Sequence, residues 1–168
     1  MDRRQVVRGL SAGILLLTAM TAGEVAAGAQ SRRPTAEIAT RVDGKAVRAG
    51  GVVRLVAHVR LPEGIHVQAN KPRDPDLIPT VLSVEAEGVT LVGVTYPKVE
   101  DLTQPGAKQP LAVYPNEFDI LVQVKLPAKV TGATVSVPAI LRYQACNDSV
   151  CFPPSKAALS WSVPVTKG

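Results

Sequence analysis

Apolar and polar residues alternate with a period of two through most of the chain after residue 35. In residues 53–61, the residues Val53, Leu55, Ala57, Val59 and Leu61 are separated by more polar ones such as Arg54, His58 and Arg60. This alternation is typical of a β-strand with one buried face. The same reasoning predicts strands over residues 65–69, 80–84, 89–96, 111–114, 120–126, 135–145 and 157–165.

Turn signals separate these segments, among them Pro62-Glu63-Gly64, Glu87-Gly88 and Thr131-Gly132. Residues 97–110 form a long irregular stretch, and loops of that length inside a compact domain are often functional. No helical period is convincing after residue 29. The pattern therefore predicts an all-β protein built as a β-sandwich.

The N-terminus has the order of an export signal, with arginines, then the apolar residues 10–22, then Ala27-Gly28-Ala29 as a small-residue cleavage site. We therefore predict a signal peptide over residues 1–29, cleaved near Ala29, and one mature domain over residues 30–168. The apolar run is shorter than the roughly 20 residues of a membrane span. The mature domain is accordingly expected in the periplasm and not embedded in a membrane. The general secretory route, the twin-arginine route suggested by Arg3-Arg4, and an uncleaved anchor all stay open.

Composition excludes several function classes. The chain carries a formal net charge of +5, but its positive residues are scattered and no basic run is interleaved with aromatics, so nucleic-acid binding is not expected. His58 and His66 are the two histidines, and nothing near the cysteines completes a tetrahedral ligand set. We predict neither a metal nor a cofactor.

The two cysteines, Cys146 and Cys151, are the candidate chemistry. In an oxidising compartment such a pair can form a disulfide, and the turn-forming Asn147-Asp148-Ser149 would bring the sulfurs together at a hairpin tip. Continued alternation would place Cys146 on the face opposite the apolar residues of the preceding strand, away from the core. The closed loop is small and stabilises the fold by only about 2 kcal/mol, which modestly favours a redox role. Composition and spacing alone still favour a purely structural disulfide slightly over a redox-active one.

The segment from Tyr143 to Pro154 resembles the active-site segment of the N-terminal periplasmic domain of DsbD, the thiol:disulfide interchange protein. Residues 62–72 and Leu77-Ile78-Pro79-Thr80 also fit that family. The resemblance implies an immunoglobulin-like β-sandwich with a reversible Cys146–Cys151 disulfide. It further implies that Cys151 forms mixed disulfides with partners and that Cys146 resolves them.

The resemblance also implies partners. A membrane electron donor of the DsbD/CcdA type would reduce the pair, and periplasmic thioredoxin-like or disulfide-bearing proteins would receive the electrons. Because the chain ends after this domain, the donor is expected to be a separate protein. The domain, expected as a monomer, would be an enzyme only as one component of a protein-disulfide reductase. The competing hypothesis is an immunoglobulin-like binding or assembly module with a structural disulfide.

Several residues depart from the family pattern or surround the pair. The family's cap loop has an aromatic tip, whereas the matching residues 98–109 have none. Either Leu102 takes the place of the aromatic, or the pair is less shielded than in the family. Glu100 and Asp101 match the acidic part of that loop loosely. The predicted environment of the pair comprises Glu100, Asp101, Leu102, His66, Gln68, Tyr143 and Phe152.

His66 and Phe152 each have two competing interpretations. His66, together with Gln68, stands where the family has two tyrosines. His66 either lowers a cysteine pKa as an imidazolium or is an ordinary strand residue on a polar face. Phe152 either packs over the sulfur or belongs to a docking surface, while Tyr143 is expected in the core.

Overall fold

The computed structural model describes residues 33–105 and 108–166, so the predicted signal peptide lies outside the described residues. Twelve strands are present in these ranges. Their bounds are β1 Glu37–Asp43, β2 Val47–Arg48, β3 Val52–Arg60, β4 His66–Gln68, β5 Val81–Val84, β6 Thr90–Thr95, β7 Glu100–Leu102, β8 Leu111–Tyr114, β9 Glu117–Lys125, β10 Thr134–Tyr143, β11 Ala145–Cys146 and β12 Ser155–Thr166.

The strands form three four-stranded sheets. The first has the order β1-β3-β9-β6 and is antiparallel throughout. The second has the order β2-β12-β10-β5, in which the short β2 runs parallel to β12 and the other pairs are antiparallel. The third, β11-β4-β8-β7, is small and antiparallel, and it carries the cysteine region.

The hydrophobic core follows from the period-two pattern, since alternate residues of a strand point to the same side. On β9 the burial alternates without exception, with Phe118, Ile120, Val122 and Val124 buried and their neighbours exposed. The inward faces of β3, β10 and β12 contribute to the same cluster. The all-β prediction and the immunoglobulin-like β-sandwich are thereby confirmed. Within residues 33–105 and 108–166, no helix is long and apolar enough to cross a membrane.

Two short strands differ from the sequence prediction. The strand predicted over 135–145 is divided, because β10 ends at Tyr143 and Ala145–Cys146 pairs with β4 in another sheet. The segment predicted as irregular contains β7, which pairs with β8. Neither β11 nor β7 could be predicted from the alternation of apolar and polar residues, because strands of two or three residues depend on the hydrogen-bonding partner that the tertiary structure supplies.

The third sheet has two distinct faces. The face toward the hydrophobic core carries Val67, Ala112, Tyr114 and Ala145. From the strand register, the opposite face carries Cys146, His66, Gln68 and Val113, because Cys146 is opposite His66 and Gln68 is opposite Val113. We call this set the cysteine face. All four of its residues are buried.

Candidate functional site

A tight hairpin holds the two cysteines side by side. The backbone N–H of Asn147 donates to the carbonyl of Val150 at 3.0 Å, and that of Phe152 donates to Ala145 at 2.8 Å. The side-chain oxygen of Asn147 accepts from the backbone N–H groups of Ser149 and Val150, at 2.9 and 2.8 Å. An Asn side chain that caps its own turn is a frequent turn-forming device. The expected hairpin is therefore built by hydrogen bonds within the loop.

Cys146 and Cys151 are joined by a disulfide, with Cα atoms 4.0 Å apart. Their environments differ strongly: Cys146 is 0% exposed, whereas Cys151 belongs to the exposed residues. Cys146 lies outside the main hydrophobic cluster, in agreement with the prediction that it does not face the core. The reason given for that prediction is wrong, however, because the alternation stops at Tyr143 and the face that Cys146 occupies is itself buried.

Gln68 contacts the buried sulfur directly. Its side-chain Nε2 lies 3.9 Å from the Sγ of Cys146, and the residue is 0% exposed. Its backbone carbonyl accepts a hydrogen bond of 2.6 Å from the hydroxyl of Thr80, which is also buried. Thr80 thus fixes the backbone of β4 beneath the cysteine pair. The prediction that Gln68 belongs to the environment of the pair fits this geometry.

His66 is opposite Cys146 in the strand register and is only 8% exposed. It lies on the polar face of β4, but that face is buried rather than solvated. Burial lowers the pKa of His66 from its ordinary value of 6.5, and the negative charge of Asp148 opposes this shift only in part. At neutral pH the imidazole is therefore uncharged. An imidazolium that lowers a cysteine pKa is not available in this state.

The described part of the cap segment, residues 98–105 and 108–109, is linked to Arg73 and to the cysteine hairpin. Arg73 forms an ion pair with Asp101 on β7 and donates to the carbonyl of Pro110 at 2.6 Å. In the middle, the side chain of Gln104 donates to the backbone carbonyl of Asp148 in the cysteine hairpin at 3.1 Å. The segment predicted as the cap thus touches the hairpin through Gln104, while Leu102 is half-buried.

The acidic residues of the cap segment do not share one environment. Glu100 and Asp101 are both exposed. Glu100 is opposite Val113 in the register of β7 and β8, on the side of the cysteine face, whereas Asp101 is opposite Ala112 and pairs with Arg73. Sequence reasoning missed Arg73 and Gln104, since both are ordinary polar loop residues with no local signal.

Phe152 and Tyr143 belong to the packing around the hairpin. Phe152 is half-buried against the hydrophobic cluster, and its carbonyl accepts from the side chain of Gln144 at 3.1 Å. Tyr143 lies in the core, as predicted, at 2% exposure. Its hydroxyl accepts a hydrogen bond from the backbone of Ala36 at 2.8 Å instead of reaching the sulfurs.

The second histidine and the acidic residues near it lie away from the cysteine pair, on the first sheet. His58, one of the polar residues that alternate with apolar ones along β3, contacts Asp119 and Glu117 at 2.8 and 3.1 Å on the exposed side of the first sheet. In the part of the chain that the structure describes, no group of three or more His, Cys, Asp and Glu residues is placed to hold a metal ion.

Fold and site together define a class: an all-β sandwich domain with a disulfide-bonded cysteine pair at a hairpin tip, in which one cysteine residue is buried and the other is exposed. Residues 36–161 match the family described as "Thiol:disulfide interchange protein DsbD, N-terminal". Because this match covers most of the chain, the chain belongs to the DsbD N-terminal family and is a thiol–disulfide exchange domain.

Among solved structures, the chain is similar to the N-terminal periplasmic domain of ScsB from Proteus mirabilis, with 15% identity and a TM-score of 0.53. The alignment covers 74% of this chain and 45% of that one, so the chain spans less than half of its solved relative. At this identity the likeness shows the fold alone. The yeast GGA1 GAE domain aligns over 77% of this chain and 99% of its own at 12% identity, but its TM-score of 0.39 is too low to indicate a shared fold. No curated protein sequence matches the chain.

Proposed function

We propose that the domain relays electrons in the periplasm through a reversible Cys146–Cys151 disulfide. A membrane reductant of the DsbD/CcdA type would reduce the pair, and the dithiol would then reduce disulfides of periplasmic partner proteins. The proposal rests on family membership and on one structural observation, the unequal exposure of the two cysteine residues.

Unequal exposure supports a division of labour between the cysteines. Thiol–disulfide exchange needs in-line access of a thiolate to one sulfur of the disulfide. Cys151 is exposed and can be reached by another protein, whereas the fully buried Cys146 can react only with its neighbour. In the proposal Cys151 is the partner-facing sulfur, and Cys146 is the resolving one.

The hairpin supports reversibility. Its hydrogen bonds, from Asn147 to Val150 and from Phe152 to Ala145, do not involve either sulfur. Reduction therefore leaves the loop closed and keeps the two thiols adjacent. A disulfide that closes so small a loop contributes only about 2 kcal/mol by chain entropy, so its loss is tolerable for the fold.

Each transfer moves two electrons and two protons between the cysteine pair and another protein. A donor thiolate attacks the Sγ of Cys151, the S–S bond breaks, and Cys146 leaves as a thiolate that takes up a proton. The donor's second thiol loses its proton and attacks the donor sulfur of the mixed disulfide, and Cys151 is released. The donor dithiol is oxidised to a disulfide, and the pair gains two electrons and two protons. Reduction of a partner disulfide runs through the same steps in reverse.

Trapping tests the proposal directly. In the full chain, Cys146→Ser removes the resolving thiol and leaves Cys151 free to attack. We expect mixed disulfides with periplasmic proteins to accumulate on this variant, seen as bands that disappear on reduction in non-reducing gels. The matched control is Cys151→Ser, which keeps a cysteine at the buried position and should trap little or nothing.

The reduction potential separates the relay from a structural disulfide. A potential between about −180 and −270 mV, the range of known exchange proteins, supports the relay. A potential below about −300 mV, together with no trapping by Cys146→Ser, would instead support a binding or assembly module whose disulfide is structural.

A further inference from the structure

Two buried polar atoms of the described residues lack a hydrogen-bond partner, and both belong to β4 beside Cys146. They are the Nε2 of His66 and the Oε1 of Gln68. Buried polar groups are nearly always hydrogen-bonded, because an unpaired group loses its hydrogen bonds to water and gains none within the protein. Two such atoms belong to residues on one face of a three-residue strand, where Gln68 contacts the sulfur of Cys146 and His66 is opposite Cys146 in the register, and they call for a physical explanation.

The oxidation state of Cys146 supplies one. In the disulfide, Sγ has no hydrogen to donate and is a weak acceptor, so the contact of 3.9 Å from the Nε2 of Gln68 gains little. The Oε1 of Gln68 needs a donor, which a disulfide sulfur cannot be. A Cys146 thiol carries an S–H that can donate to an amide oxygen, and a thiolate accepts strongly from an amide N–H.

On this geometry, and resting on the function proposed above, we propose that Gln68 is a positioning residue that favours the reduced state of Cys146. Its amide pairs better with the thiol or the thiolate than with the disulfide. It therefore raises the reduction potential of the pair and stabilises Cys146 as the leaving group when Cys151 is attacked.

Gln68 is held ready for this role. Its side chain is fully buried, and the Thr80 hydroxyl anchors its backbone carbonyl. The strand on its other side, β8, contributes the buried Val113. Because the amide is already desolvated and oriented, its interaction with a developing thiolate needs little reorganisation.

The charges near Cys146 determine how much the Gln68 amide can stabilise a thiolate there. In the oxidised protein, burial lowers the pKa of His66. Asp148, in the loop between the cysteines, carries a charge that opposes a thiolate. The Gln68 amide N–H contacts the sulfur and can offset a negative charge there.

The test is the equilibrium of the purified domain with glutathione, for wild type and Gln68→Met. Methionine keeps the length of the side chain and removes both polar atoms. We expect the equilibrium constant for reduction to fall about tenfold, which corresponds to about 30 mV toward a more negative potential. We also expect the pKa of Cys146 to rise, measured by thiolate absorbance in a Cys151→Ser background with and without the change.

A control excludes a general effect of losing an amide. Gln123→Met alters an exposed position on β9 in the first sheet and should leave both the potential and the pKa of Cys146 unchanged. Unfolding of the oxidised Gln68→Met protein in urea should show no large loss of stability, because the change removes an unpaired buried atom.

A second variant keeps the test decisive if Gln68→Met folds poorly. Gln68→Leu also removes both polar atoms and keeps an apolar side chain of similar size, so it should likewise raise the pKa of Cys146. A potential and a Cys146 pKa equal to those of wild type in either folded variant overturn the proposal, as does a shift of potential in the opposite direction for Gln68→Met. Since these measurements use the isolated domain and glutathione, they succeed or fail independently of the cellular trapping that tests the relay itself.

Discussion

The buried imidazole of His66 shows how one residue's environment reverses its expected role. A histidine near a cysteine commonly supplies a positive charge that favours the thiolate. Here burial disfavours the charged form, and the partial compensation from Asp148 does not restore it. The polar face of β4 thus holds a neutral acceptor or donor next to Cys146 rather than a cation.

This environment predicts a pH-dependent stability. The unfolded chain binds the His66 proton with a pKa near 6.5, and the folded oxidised protein binds it less readily. Full stability is therefore present above the unfolded pKa and is lost as the pH falls below it. We expect His66→Asn to show a smaller loss of unfolding free energy than wild type between about pH 7.5 and pH 5.5, measured by urea unfolding.

The exposed histidine provides the comparison for that experiment. His58→Asn removes an imidazole that contacts Asp119 and Glu117 on the surface of the first sheet. A His66→Asn protein whose stability follows the same pH profile as wild type would contradict the assignment of a lowered pKa to His66.

At the scale of elements, the cap segment and the cysteine hairpin are held together by side chains from distant loops. Arg73 links β7 to the end of the segment, and Gln104 reaches the hairpin. The ion pair is partly solvated, with the Arg73 side chain 33% and the Asp101 side chain 61% exposed, so its contribution to global stability is under about 1 kcal/mol. Its effect should instead be local, on how often the segment opens.

We therefore expect Arg73→Gln to leave the unfolding free energy within about 1 kcal/mol of wild type. Reduction of the disulfide by dithiothreitol should become faster, by roughly 3- to 10-fold, because local opening gives easier access. The rate can be followed by thiol labelling in a time course. Arg54→Gln, which breaks an exposed ion pair with Asp43 on the first sheet, is the matched control. An unchanged rate in Arg73→Gln would show that this contact does not govern access to the sulfurs.

For the molecule as a whole, the two larger sheets are joined through the core, and the site lies on the smaller third sheet. Trp161 on β12 is 1% exposed and donates its indole N–H to the carbonyl of Val56 on β3 at 2.9 Å. It therefore connects the second sheet to the first by a hydrogen bond as well as by packing. Cys146 lies outside this hydrophobic cluster.

Trp161→Phe should separate stability from redox properties. The variant loses the hydrogen bond and part of the packing, which should lower the unfolding free energy by about 2–4 kcal/mol. The reduction potential should stay close to that of wild type. Unfolding must be followed by circular dichroism, since this is the single tryptophan. The exposed Val52→Ala should change stability by less than about 0.5 kcal/mol, and a similar loss in both variants would refute the role of Trp161.

The amino-acid pattern was sufficient for the β architecture and for the chemical centre. Alternation predicted most of the strands, because a strand with one buried face imposes a period of two on its own residues. The hairpin around Cys146 and Cys151 was likewise predictable, since its turn is built by neighbours in the chain such as Asn147. The family resemblance had the same origin, in contiguous residues around the cysteines.

The environment of the buried sulfur was not predictable in this way. Gln68 and Cys146 are separated by 78 residues, and Gln104 and Asp148 by 44. Such contacts depend on which strands pair and in which register, and no local pattern encodes them. The alternation of β10 ends at Tyr143, and the short β11 that follows pairs with β4 in a different sheet, where Cys146 is buried. Local periodicity therefore determined which residues form strands, while long-range pairing determined that Cys146 is enclosed and that Cys151 stays exposed.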